Sequence, residues 1–163
     1  MLTLPTIVER PIRYYVAVRR DVVLPFDDEI PPIMDTLFTA AREQGIDTSG
    51  LVAFKHDVID MPRIGMSFAL IVPDAVAAAD PLVSGTLPAG RYAEVTYTGP
   101  YDDLMEVNTV LVGWGRQKAL AWDMEAREDG EHFAARAEIY HNGPDDEPDP
   151  QKWRTTLEIK LRD

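Results

Sequence analysis

The chain has 163 residues, the length of one domain, and 45% of them are apolar, enough for one sizeable core. Cysteine is absent, which excludes disulfides, thiolate metal sites, iron-sulfur clusters and a cysteine nucleophile. Against 16 Lys and Arg stand 28 Asp and Glu, and the net charge of −12 repels phosphate backbones at long range and disfavours direct nucleic-acid binding.

Met1 to Pro11 reads as a lead-in strand or arm bounded by Pro5 and Pro11. It lacks the charged and apolar sections of a secretory leader, and no apolar run in the chain reaches the ~18 residues of a membrane span, so a cytoplasmic protein is expected. The arm is too short for a helix-turn-helix, and any transcriptional role needs a separate DNA-binding partner. Ile12 to Arg19 alternates as a strand, with Tyr14, Val16 and Val18 on one face. A connection through Pro25 leads to a helix whose apolar stripe is Ile30, Met34, Leu37, Phe38 and Ala41 and whose stop is Gly45. Pro31 and Pro32 fit only its first turn, where backbone donors have no intrahelical partner. Two strands follow, Gly50 to Lys55 and Ile64 to Val72, joined by a polar link holding Asp57, Asp60 and Pro62. The second is apolar on both faces, which predicts a central place in its sheet. Pro73 to Gly85 is the connection between halves.

The second half opens with RYAEVTYTGPYDDL, Arg91 to Leu104. Tyr92, Glu94 and Thr96 alternate with Ala93, Val95 and Tyr97, and Gly99-Pro100 ends the strand. Asp102-Asp103 supplies carboxylates for a helix start, and Leu104, Val107, Leu111 and Trp114 follow at helical spacing. Phe133 to His141 sets Ala135, Ala137 and Ile139 against Arg136, Glu138 and Tyr140. After a loop rich in Pro and Asp, the last strand, Trp153 to Leu161, carries Trp153, Thr155, Leu157, Ile159 and Leu161 on one side. Arg13 to Val18 aligns on Arg91 to Thr96, and Phe26-Asp27-Asp28 on Tyr101-Asp102-Asp103, with one short gap. The expectation is an α+β fold in one domain over 1–163, with a tandem strand-helix-strand-strand repeat over about 12–73 and about 87–162. Two helices pack on a curved antiparallel sheet about a pseudo-twofold axis.

No nucleophile elbow, Gly-rich phosphate loop, dinucleotide fingerprint or H-E-x-x-H motif is present. His56, His132 and His141 are scattered, and Asp145-Asp146-Glu147 with Asp149 lacks the glycine and distal Glu of a calcium loop, so neither metal nor cofactor is expected. Glu138 and Tyr140 share one strand face. A carboxylate beside aromatic rings in a cleft attracts lipophilic cations. The same carboxylate between apolar walls is also a general acid or base, with a tyrosine hydroxyl to assist. Spacing alone favours the plainer reading, in which Arg136, Glu138 and Tyr140 form an exposed strand face bearing a surface ion pair.

The segment LPAGRYAEVTYTGPYDDL, Leu87 to Leu104, resembles the signature of the gyrase-inhibitor-like (GyrI-like) small-molecule-binding family, which is also the effector-binding domain of AraC-type and multidrug-sensing MerR-type regulators. Glu138 to Pro144 (EIYHNGP) and Arg154 to Ile159 (RTTLEI) resemble its closing pattern. The resemblance implies a ligand cleft at the pseudo-twofold axis, with Glu138 as the buried glutamate facing the ligand and Tyr140 and Trp153 among the aromatic side chains around it. Phe68, Tyr92 and Trp114 are further candidates. Gly143 stands where the family often has an acidic residue, and Ile64 to Phe68 supplies no second one, so a cleft with one carboxylate suits a monocation or a neutral ligand. The preferred reading is a stand-alone module that captures a small lipophilic molecule, with no membrane or direct nucleic-acid partner. A hydrolase of strained cyclopropane-type electrophiles, using Glu138 and Tyr140, is the alternative that the family also implies. An acidic protein-interaction module is the third.

Overall fold

In the computed structural model, which describes residues 1–163, two helices pack on a strongly curled antiparallel sheet. The first half contains β1 (Thr6–Arg10), β2 (Arg13–Val23), α1 (Ile30–Glu43), β3 (Val52–Asp60), β4 (Arg63–Val72) and β5 (Val83–Leu87). The second contains β6 (Gly90–Thr98), α2 (Leu104–Gln117), β7 (Met124–Arg127), β8 (Gly130–Phe133), β9 (Arg136–Tyr140) and β10 (Arg154–Lys160). The strand order is β1-β6-β10-β9-β3-β4-β2-β5, with the β7–β8 hairpin attached to the far end of β3. From the β3–β9 seam outward, one arm reads β3-β4-β2 and the other β9-β10-β6, so each repeat contributes its strands in the same order and the α+β pseudo-twofold arrangement is present.

The helices repeat this symmetry in their buried positions. Ile33, Leu37 and Ala41 of α1 occupy the same turns as Val107, Leu111 and Gly115 of α2. Helix α1 covers Val16, Val18, Met66, Phe68 and Leu70, while α2 covers Ala93, Val95, Leu157 and Ile159. Gly115 is required by packing, because a Cβ there would stand 2.3 Å from the Trp122 ring. No helix is long and apolar enough to cross a membrane.

The other face of the sheet is buried by its own curl. Strands β2 and β10 are four steps apart in the sheet, ~19 Å along a flat one, yet Arg13 Nη2 lies 2.7 Å from Glu158 Oε1. The sheet therefore closes towards its helix-free face. Ala53, Ala69, Ala135 and Ala137 line this narrow interior, where larger side chains would hold the two ends apart.

Three expectations are corrected. The polar link after Lys55 is strand: β3 continues through a bulge at Asp57 to Asp60. Asp57 is tolerated inside the sheet because it accepts from both Lys55 Nζ and Ser67 Oγ. The connection between halves ends in β5, an edge strand on β2, and the β7–β8 hairpin is additional. Both are short and polar, too brief for alternation to mark them.

Candidate functional site

Each helix sits over the outer strands of its own half, so the seam strands β3 and β9 are left uncovered between them. A cleft of about 1110 Å³ opens there. Val52, Phe54 and His56 of β3 and Arg136, Glu138 and Tyr140 of β9 form its floor. Ile30, Met34 and Phe38 of α1 make one wall, Leu104, Met105 and Asn108 of α2 the other, and Asn142 to Asp146 a rim. The alternation in β9 is what turns Glu138 into the cleft, since Ala137 and Ile139 occupy the interior of the curl.

Glu138 is half-buried and held from two sides. Tyr140 donates its phenolic hydrogen to Oε2, and Asn108 Nδ2 donates to Oε1 at 3.3 Å. Burial and the adjacent carboxylate push the Tyr140 phenol well above its ordinary range, which keeps it protonated and donating. Burial likewise holds His56 below its ordinary value, so its ring is neutral at pH 7. Its Nδ1 has no hydrogen-bond partner.

Aromatic rings run without a break from one half to the other. Phe26 meets Phe68 at 6.2 Å, Phe68 meets Phe54 at 4.9 Å, and Phe54 meets Tyr140 at 4.9 Å, all edge to face. Tyr140 then meets Tyr101 at 5.4 Å, and Tyr101 packs tilted on Trp153 at 4.4 Å. Edge-to-face pairs of this kind fix ring orientation as well as adding stability.

Of the residues singled out in the sequence, Glu138 and Tyr140 stand together on the floor. Trp153 lies one layer behind, bracing Tyr101, with its indole nitrogen donating to the Glu147 carbonyl at 2.8 Å. Phe68 is fully buried beneath Phe54. Trp114 packs into the core under α2, away from the cleft. Tyr92 points into the curl, where its hydroxyl donates to the Pro88 carbonyl at 2.7 Å, Arg13 lies over its ring, and burial pushes its phenol up to about 12. Phe54, Tyr101, Asn108 and Arg136 were not proposed from sequence. The alternation Val52, Phe54, His56 was a usable signal for the first.

The profile of the GyrI-like small molecule binding domain matches residues 4–162. The chain belongs to the GyrI-like family. This GyrI-like domain resembles the crystal structure of the EcmrR C-terminal domain, with a TM-score of 0.69 and 18% identity over 97% of this chain and 96% of that one. It also matches the cryo-EM structure of the EcmrR-DNA complex in EcmrR-RPo, with a TM-score of 0.72 and 18% identity over 99% of this chain; the GyrI-like domain spans only 57% of that longer chain. SAV2435 bound to tetraphenylphosphonium gives a TM-score of 0.60 at 10% identity over 98% and 94% of the two chains. A hydrolase from Listeria innocua gives 0.57 at 15% identity over 97% and 91%. At these identities the likeness is one of fold. No curated protein sequence matches the chain.

Proposed function

We propose that this GyrI-like domain captures a lipophilic aromatic compound in the cleft between its helices, with Glu138 as the polar anchor. The observation that carries the reading is Glu138 itself, a carboxylate on the floor of an aromatic cleft, oriented by Tyr140 and Asn108. A half-buried carboxylate among aromatic rings favours a ligand that returns a positive charge or a donor to it, and the surrounding rings add cation-π attraction. That SAV2435 holds tetraphenylphosphonium supports the same ligand class here. The likeness to EcmrR supports an effector-sensing role, in which DNA reading belongs to a separate segment or partner.

The second reading, hydrolysis of a strained electrophile, draws support from the Tyr140–Glu138 hydrogen bond. Glu138 would take a proton from water while Tyr140 protonates the opening ring carbon. Against it stands the direction of the Tyr140 shift: a phenol pushed well above its ordinary range is a weak acid at neutral pH, and its hydrogen is already committed to Glu138. Binding is therefore favoured.

The test is a thermal-shift comparison of the wild type and Glu138→Gln with tetraphenylphosphonium and with neutral triphenylphosphine oxide. At 100 times Kd a ligand adds ~2.7 kcal/mol, which for a domain of this size raises Tm by roughly 5–10 °C. The cation is expected to stabilise the wild type and lose most of that effect in the variant. Equal shifts in both proteins would remove Glu138 from the site.

A further inference from the structure

The cleft floor carries a second charge. Arg136 precedes Glu138 by two residues on β9, so both side chains leave the same face, with backbone origins about 7 Å apart. They are not an ion pair. Asn108 stands between them, accepting from Arg136 Nη2 on its Oδ1 at 3.5 Å and donating to Glu138 on its other side. That long contact is the only hydrogen bond Arg136 makes through its side chain, and its buried Nε has no partner. The Phe133 ring, 5.0 Å from the guanidinium carbon, braces the group from one side.

The carboxylates of Glu131 and Glu138 act on Arg136 through space, but neither pairs with it directly, and a half-buried guanidinium left without a direct anionic partner is costly unless something else supplies one. Nothing on the floor competes for that role. Glu138 is engaged by Tyr140 and Asn108, and His56, beside Arg136, is neutral and lacks a partner at Nδ1. The mouth is acidic, with Asp27, Asp102, Asp145 and Asp146 around it, which draws in a positive end and resists compounds that are anionic throughout.

We propose that the cleft selects aromatic zwitterions, compounds whose carboxylate or similar anion meets Arg136 while a cationic group on the same ring system meets Glu138. The inference rests on the cleft being the ligand site. A purely cationic ligand satisfies Glu138 but leaves Arg136 unpaired and adds a like charge beside it. A zwitterion satisfies both, and Asn108 holds the two protein charges far enough apart to be answered separately.

Fluorescence anisotropy on the full chain tests this with rhodamine B, a cationic xanthene bearing a free carboxylate, and its ethyl ester, the same ring system with the carboxylate blocked. Wild type is expected to bind rhodamine B about tenfold more tightly than the ester. Arg136→Gln should weaken rhodamine B by about that factor and strengthen the ester, because it removes both the partner of the anion and the repulsion of the cation. Ester binding also reports that the variant is folded, and Arg136→Lys, which keeps the charge but not the planar fork, should fall between. Equal affinity of wild type for the two dyes overturns the inference, and if Glu138→Gln still weakens both dyes the cleft remains the ligand site. Failure of both dyes, and of tetraphenylphosphonium, to bind the wild type overturns the cleft reading and this inference with it.

Discussion

Tyr140 and Glu138, two residues apart on one strand, are joined by a hydrogen bond from the phenol to Oε2 that orients the only carboxylate on the cleft floor. Its removal separates binding from turnover. In Tyr140→Phe the ring contacts with Phe54 and Tyr101 persist, and Asn108 still holds the other carboxylate oxygen. Tetraphenylphosphonium affinity, measured by calorimetry, is expected to change by less than about fivefold, since one hydrogen bond contributes about 1 kcal/mol. Loss of cation binding by orders of magnitude would contradict Glu138 as the anchor.

Phe54 links the two halves through its contacts with Phe68 and Tyr140. Phe54→Leu keeps an apolar side chain but removes both edge-to-face pairs, at a cost of about 1–3 kcal/mol in urea unfolding. The same variant should bind aromatic cations several-fold more weakly, because the floor of the cleft changes shape. Unchanged stability and affinity together would show that the run of rings is incidental.

Leu37 and Leu111 occupy matching turns of the two helices and are both fully buried. Each Leu→Ala change is expected to cost about 2–5 kcal/mol, with the spread set by how far the sheet beneath relaxes. If the repeats are structurally equivalent, the two losses should agree within about 1 kcal/mol; a large excess for one would mark that half as the more tightly packed.

Acid should destabilise the protein in part through His56. Burial, the largest influence, lowers its folded value below the ordinary 6.5, with the Arg136 charge acting in the same direction and Glu138, a hydrogen bond to the Arg136 backbone and Asp57 opposing. The unfolded chain therefore binds the extra proton more readily. The contribution of His56 is fully present above pH 6.5 and is lost as pH falls through the lower folded value. His56→Gln should lose less Tm than the wild type between pH 7 and pH 5. Parallel curves for the two proteins would mean that His56 is hydrated in the folded state.

Local chemistry in the chain is enough to place both helices and the main strands. Pro31 and Pro32 can only open a helix, Gly45 ends one, and Gly99-Pro100 must separate β6 from α2. Period-two alternation in β9 likewise puts Arg136, Glu138 and Tyr140 on one face. Sequence does not say which face is which, because the curl buries both: Tyr92 and Glu158 are enclosed on the helix-free side although each alternates with apolar neighbours that meet α2. Nor does it mark Asp57 as a strand residue, since its partner Ser67 comes from the next strand. The membership of the cleft was decided by where the two helices rest. That depends on contacts between residues far apart in the chain, and it is why Phe54 and Asn108 are in the cleft while Trp114 and Tyr92 are not. Composition, alternation and chain breakers fix local geometry. The curl and the spacing of the helices arise from packing between distant strands, which no single stretch of sequence encodes.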